Sequence, residues 1–308
     1  MYIFKRVYFT VRTMKKIFLI DGFAVLYRAY YAFPEIKNKE GKNLNAVFGF
    51  IRMILKRIEK EPDYLWIAWD SKEKTFRHEL APDYKATRKK MEEDFTSQIP
   101  IIREIVDELG IFSLSVSGYE ADDILASFAK KFQKKSDLEI SVYSWDKDLK
   151  QILDDRIAIV DLAKDTPCLS HDFKEQFGFE PQYIVDYLAL LGDAADNVKG
   201  VDGIWEKTAL KLIQKYHSLE NLYNAIEELS GRTKECLITQ KENAFFAKKM
   251  IKLAEVDVSR YEESDFSFSF NYDQYVEILC KKYGFTSLEK VLGTIKQKRE
   301  KPQQMSLF

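Results

Sequence analysis

The sequence predicts an α/β protein: a mostly parallel sheet interleaved with helices. Two observations carry that expectation. Short β-rich apolar runs alternate with helical patterns through the first half of the chain, the order that yields βαβ units. Each of those runs also leads into an acid.

Taken in order, "KIFLI" (16–20) is followed by Asp21 and "YLWIAW" (64–69) by Asp70. "IFSLSV" (111–116) leads through Gly118 to Glu120, Asp122 and Asp123; "EISVYSW" (139–145) leads to Asp146 and Asp148. Helical patterns at 46–60, 98–109 and 120–135 separate the runs. In a parallel sheet the ligand site lies beyond the carboxyl ends of the strands, so four strands would deliver their acids to one edge.

Composition sets bounds. With 308 residues, 46% of them hydrophobic, the chain can bury a full core as one large domain or a domain with an appendage. A net charge of −1 singles out no partner, so a nucleic-acid reading must rest on local patches. Cys168, Cys236 and Cys280 are far apart and suggest neither a zinc site nor a disulfide framework, which fits a reducing compartment. Three histidines leave little material for a His-based site. No apolar run approaches the ~20 residues of a membrane span. The opening "MYIFKRVYFTVRTMKK" lacks a signal-peptide pattern. Met14 opens "MKKIFLIDG", and residues 1–13 are expected to be a disordered extension or a mis-called start.

A single acid after a strand is usually a helix N-cap, and for Asp123 or Asp148 alone that reading is favoured. Four strands ending in acids are another matter. Unit charges ~5 Å apart repel by ~3 kcal/mol at an effective dielectric near 20, so a convergence of this kind needs cations. Oxygen donors without Cys or His point to a hard ion, Mg²⁺ or Mn²⁺. A second acidic stretch, "LLGDAADNVKGVDGIWEKTALKLI" (190–213), holds Asp193 and Asp196, which would share a face on a helical turn. Its "GVDGI" (200–204) reads as a Gly-x-x-Gly hairpin able to aim backbone N–H groups at a phosphate, flanked by Lys199, Lys207, Lys211 and Lys215. The other reading is an ordinary αα-turn with a solvated lysine face. Between Lys72 and Lys90 seven Lys/Arg stand against three acids, with Phe76 and Tyr84 interspersed, a pattern that suits single-stranded nucleic acid. A charged surface insertion is the plainer alternative.

Together these motifs resemble the 5′ nuclease domain of bacterial DNA polymerase I, a member of the flap endonuclease family. The matching stretches include "DGFAVLYRAYYAF" (21–33), "FRHELAPDYKATR" (76–88), "GYEADDILASFAKK" (118–131), "DKDLKQIL" (146–153), "LLGDAADNVKGVDGIWEKTA" (190–209) and "YGFTSLEKVL" (283–292). The resemblance covers roughly residues 15–295. It implies a PIN-like core over 14–180, with a helical arch at about 71–97, and a helical DNA-binding region over 181–295. A helix–three-turn–helix is expected at about 186–216. Asp21, Asp70, Glu120, Asp122 and Asp123 resemble the first metal site; Asp146, Asp148, Asp193 and Asp196 resemble the second. Mg²⁺ is the implied ion, with Mn²⁺ as a substitute. Arg28, Arg77 and Lys85 are similar to catalytic positions, and Tyr27, Tyr84 and Arg88 to DNA-contacting ones. Lys199, Gly200, Gly203, Lys207 and Lys211 would grip duplex phosphates, with K⁺ at the hairpin.

One departure concerns the hairpin. The family reads Gly-Ile-Gly there, whereas this chain has Gly203-Ile204-Trp205, and a Cβ would be strained at a positive φ. Lys199 stands where proline is common. No proofreading or polymerase sequence follows, so a stand-alone nuclease is expected. The end, "KQKREKPQQMSLF" (296–308), reads as a flexible tail whose "QMSLF" resembles the bacterial sliding-clamp-binding pentapeptide, with Gln304, Met305, Leu307 and Phe308 as contacts. The implied protein is a monomeric, cytoplasmic, nucleoid-associated nuclease. It would act on 5′ flaps, nicks and RNA primers through two metal ions, one activating water and one stabilising the leaving oxygen. A non-catalytic clamp-recruited DNA-binding protein and a PIN-type RNase are the competing readings.

Overall fold

A computed structural model describes residues 14–300. The expected N-terminal extension and the "QMSLF" contacts Gln304, Met305, Leu307 and Phe308 lie outside the described residues. Six strands form one sheet: β1 (Lys15–Asp21), β2 (Tyr64–Trp69), β3 (Phe112–Ser115), β4 (Leu138–Tyr143), β5 (Ile157–Val160) and β6 (Pro167–Cys168). Their spatial order is β3-β2-β1-β4-β5-β6, and every pairing is parallel except β5 with β6. The first four strands are the acid-terminated runs. The short β5 and β6 were not anticipated.

This is a doubly wound order: the chain builds outward from β1 to β3, then returns to the other side of β1 with β4. The β1 register sets Ile20 against Ile67 on one side and Tyr143 on the other. Asp21, Asp70 and Asp146 therefore leave neighbouring strands at the same edge, beside the switch point.

Helices α1 (Gly22–Ala32), α2 (Asn45–Ile58), α3 (Phe76–Leu80), α4 (Glu93–Glu108) and α5 (Ala121–Gln133) connect these strands. Side chains alternate along the strands, so the sheet has two cores. Ile17, Leu19, Trp66 and Val142 meet α5 through Ile124 and Phe128 on one face. Phe18, Ile20, Ile67 and Trp69 meet Phe50 and Ile54 of α2 and Ile105 of α4 on the other. Each such side chain contributes roughly 1.5–3 kcal/mol by leaving water.

After α6 (Ser170–Phe177), helix α7 (Ile184–Leu191) runs into a two-stranded ribbon, β7 (Gly192–Asp193) and β8 (Val198–Lys199), then α8 (Glu206–Tyr216). Helices α9 (Leu219–Asn224), α10 (Gly231–Thr239) and α11 (Lys241–Ile251) follow. The chain then returns to the sheet. Phe266 joins the first core and Phe268 the second. Helix α12 (Tyr272–Tyr275), a π-helical turn (Val276–Lys282) and α13 (Glu289–Glu300) close the second core through Leu279, Leu292 and Ile295. Residues 296–300, expected to open the tail, instead continue α13. No helix among the described residues is long and apolar enough to cross a membrane.

Candidate metal centre

Each acid at the sheet edge is aimed by a local device. Asp21 ends β1 and caps α1: its Oδ1 accepts from the Ala24 N–H at 2.9 Å, while Ser144 Oγ donates to Oδ2 at 2.9 Å. Asp70, one residue past β2, accepts the Ala121 N–H at the start of α5 at 2.8 Å. Asp146 accepts the Asp148 N–H at 2.8 Å, which turns that loop toward the others. Asp193 Oδ1 accepts the Ala195 N–H at 2.9 Å, an Asx-turn that folds Asp196 back beside it. The expected helical turn is therefore a ribbon turn, and it achieves the same proximity.

The carboxylates form two lobes. Burial pushes the Asp122 carboxyl well above its ordinary range, and the charges of Asp146, Asp21, Asp70 and Glu120 add to the shift. Asp21 is pushed up to about 7 by burial and then by Asp70. Burial also raises Asp148 well above its usual value, with Asp146, Asp193 and Asp196 reinforcing it. Asp146, itself raised by burial, belongs to both lobes. Asp122 Oδ1 and Asp148 Oδ1 are buried without a hydrogen-bond partner.

Cations answer part of this charge. Lys85 Nζ donates to Glu120 Oε1, Arg88 pairs with Asp196, and Lys147 Nζ lies 3.1 Å from Asp193. Lys85 sits at φ +59, a conformation rarely held by a non-glycine residue, and its own N–H donates to the Asp196 carbonyl at 3.0 Å. Burial works against its ammonium, but Glu120 and Asp196 outweigh that and raise its pKa. Among the described residues no three His, Cys, Asp or Glu side chains close around a single point. The donor set nevertheless fits a hard divalent cation: only oxygens, two of them orphaned, in a net negative and buried setting.

Four expected site residues, Arg77, Asp123, Tyr84 and Arg28, are not presented at this edge to a cation or a phosphate. Arg77 is 2% exposed, and its whole donor fork is spent inside the protein. Nε donates to the Met250 carbonyl at 2.8 Å; Nη1 to Asp123 at 2.8 Å and Glu120 at 3.1 Å; Nη2 to Asp123 at 2.9 Å and the Lys252 carbonyl at 3.3 Å. Asp123, fully buried, also accepts the Ala254 and Glu120 N–H groups. Arg77 and Asp123 thus clamp α3, α5 and the segment after α11 together, against the expectation of a phosphate contact and a metal ligand. Tyr84 is 6% exposed and donates to Glu120 or Asp196, so its ring is unavailable for base stacking. Arg28, two turns along α1 from Asp21, has Arg57 and Asp161 as its electrostatic neighbours and is not drawn into either lobe. Tyr27 packs on Phe95 at 4.9 Å and feels the charges of Asp70, Lys85 and Arg88.

The expected arch is only a five-residue helix, α3, followed by turns that lie down on the acidic edge through Lys85 and Arg88. At the hairpin, Lys199, Lys207 and Lys211 are exposed. The N–H groups of Val201, Asp202 and Ile204 are consumed internally. Gly200 packs so closely on Gly192 that a Cβ would meet backbone at 2.3 Å, and Gly203 holds φ +91. Trp205 has φ −101 and ψ 166, extended backbone that any residue adopts, so the expected strain does not arise. Ser144 and Lys147 were missed. Lys147 falls within the "DKD" run and could have been suspected as an internal counter-ion; Ser144 is tied to Asp21 only by the β1–β4 register.

Comparison with known proteins covers both halves. A model described as the 5′-3′ exonuclease, N-terminal resolvase-like domain matches residues 16–178, and one for the 5′-3′ exonuclease, C-terminal SAM fold matches residues 179–269. A 5′-3′ exonuclease of Aquifex aeolicus is 37% identical over 252 residues, covering 81% of this chain and 86% of that protein. DNA polymerase I of Bacillus subtilis is 36% identical over 305 residues, covering 94% of this chain. The chain spans 34% of that polymerase's length. The solved structure of the T5 D15 protein co-crystallised with metal ions has the same fold, with a TM-score of 0.65, 18% identity and coverage of 92% of this chain and 99% of that one.

Proposed function

Since the chain belongs to the 5′-3′ exonuclease family, we propose that it hydrolyses phosphodiesters at or near free 5′ ends as a structure-specific nuclease. The observation that carries the reading is the half-buried acidic run Asp122–Asp146–Asp148, with two buried and unpartnered oxygens, in a cluster whose Glu120 and Asp196 hold the basic side chains Lys85 and Arg88. Such an arrangement is costly to keep unless it binds cations and phosphate.

In this reading Asp21, Asp70, Glu120 and Asp122 hold one Mg²⁺, and Asp146, Asp148, Asp193 and Asp196 the other, with Mn²⁺ as a substitute. Bound divalent ions supply Lewis acidity, which makes hydroxide from water at neutral pH. The chain's own residues do the positioning. Ser144 and the Ala24 N–H fix both oxygens of Asp21, so its carboxylate does not rotate away. Tyr84 lies between Glu120 and Asp196 and donates its one proton to either of them, so it fills the space between the two lobes. Lys85 and Arg88 trade their carboxylate partners for the substrate phosphate and oppose its growing charge. Lys207 and Lys211 on α8, Lys199, and the hairpin glycines Gly200 and Gly203 follow duplex phosphates, with K⁺ at the hairpin. Arg77 and Asp123 keep the first lobe's backbone in place.

The substrates in this reading are DNA with 5′ flaps, nicks or RNA primers, and the role is primer removal and repair. Binding of Gln304–Phe308 to a sliding clamp would bring the nuclease to its junctions by making engagement effectively intramolecular. Digestion of labelled 5′-flap, nicked duplex and single-stranded RNA, with and without Mg²⁺, tests the activity. Metal-dependent cutting of the flap and nick is expected; cutting of RNA alone would overturn the assignment. A calorimetric titration of the clamp with full-length and Gln304–Phe308-deleted protein tests the partner, with binding expected from the full chain alone.

A further inference from the structure

Trp145 stands between the end of β4 and Asp146. Trp66 and Trp69 are buried, whereas Trp145 is 51% exposed and Trp205, at the hairpin, 77%. By itself an exposed indole such as that of Trp145 is ordinary on a protein surface. This one has a setting. It lines a groove of about 420 Å³ with Lys147, Lys150 and Lys164, and Ser144 and Asp146 line the same groove. Asp161 is the other acid on its wall, so the lysines outnumber the carboxylates there. Lys164 is exposed, and Lys150 lies over the Phe177 ring at 5.3 Å, already beside an aromatic face. The groove thus joins a flat aromatic surface and a line of positive charge to the carboxylates assigned above to the reaction.

Lysines that track a backbone beside a ring that accepts bases are what an unpaired nucleotide requires. Duplex DNA hides its base faces in the stack and could use only the lysines. Small acidic ligands would need the lysines but not the indole. We infer that Trp145 is a stacking platform for one unpaired base of the nucleic-acid substrate, seated next to the phosphate that reacts. The inference rests on the nuclease reading and deepens it: the enzyme would hold its substrate frayed by at least one nucleotide on the β4–β5 side of the cluster.

The test uses full-length protein in chelator, where binding is read without cleavage. Titration with a 5′-flap oligonucleotide should quench tryptophan emission, and Trp145→Leu should remove much of that quench while weakening binding roughly tenfold. Trp145→Phe should retain most of the affinity. Moving a single abasic residue through the positions around the junction should find one place where wild type loses about the same factor and Trp145→Leu loses nothing more. Urea unfolding of Trp145→Leu should match wild type, since the side chain is exposed. Losses that add at every abasic position, or affinity unchanged by Trp145→Leu, would overturn the platform while leaving the nuclease reading intact. A wild-type protein that neither binds nor, with Mg²⁺, cuts these substrates would overturn both.

Discussion

Asp122 and Asp123 are consecutive residues with opposite surroundings. Asp123 is fully buried, yet every oxygen it presents is met by Arg77 or a backbone N–H. Asp122 is half-buried, its neighbours are other carboxylates, and its buried Oδ1 has no partner. A single helical step of about 100° separates them, enough to send one side chain into the clamp and the other into the cluster. The difference teaches that the clamp and the cluster are complementary: the first supplies the rigidity that lets the second stay strained. A carboxylate held against burial and like charge persists only when its surroundings fix it.

The largest effect expected from breaking this contrast is on activity. Asp122→Asn should lower single-turnover cleavage by on the order of a thousandfold, because a charged oxygen donor is lost from the reacting edge. The same change should stabilise the protein in chelator by about 1–2 kcal/mol, measured by urea unfolding, since a repelled carboxylate becomes neutral. A loss of stability would place Asp122 in the structural class with Asp123. Asp146→Asn should likewise abolish cleavage, with DNA affinity in chelator equal to or tighter than wild type.

Next in size is the clamp. Arg77→Met should cost about 3–5 kcal/mol, because it leaves Asp123 buried and unpaired. Adding Asp123→Leu should recover much of that loss, and urea melts of the two single variants and the double variant would show the coupling. Additive losses would mean that the two residues do not act as a pair.

A smaller effect is expected on pH dependence. Asp21 takes up its proton near pH 7 in the fold but near 4 when unfolded, so between those values the folded state binds more protons. Stability in chelator should therefore fall as pH rises from about 4 through about 7, and Asp21→Asn should flatten that slope. Mg²⁺ should raise the melting temperature at pH 8 and have little effect at pH 5, where protons compete for the carboxylates. A metal response independent of pH would separate ion binding from these acids. The smallest expected effect is at the hairpin: Lys207→Ala with Lys211→Ala should reduce the salt dependence of DNA binding by about two counterions, leaving the single-turnover rate at saturation nearly unchanged. An unaltered slope would remove α8 from the DNA footprint.

The sequence by itself determined the four acid-terminated strands, because short apolar runs set between helical patterns carry a local signal, strongest in β1 and β2, which are buried on both faces, and a strand's end fixes where its next side chain goes. It also determined that the acids at the ends of β1, β2 and β4 leave the same edge of the sheet with no His or Cys beside them in sequence. What it could not decide was which neighbours each charge would meet. Arg77 reads in sequence like any member of a basic segment; only the return of residues 250–254 past α5 encloses it and spends its donors. Tyr84 reads like a base-stacking ring until Glu120 and Asp196, 36 and 112 residues away, bury its hydroxyl. Asp193 and Asp196 come together through an Asx-turn in a ribbon too short to leave a strand pattern. Trp205 reads as strained until its extended backbone is seen. Local preference decides what a segment becomes, whereas burial and electrostatics depend on residues far along the chain, and those contacts exist only once the tertiary structure has closed.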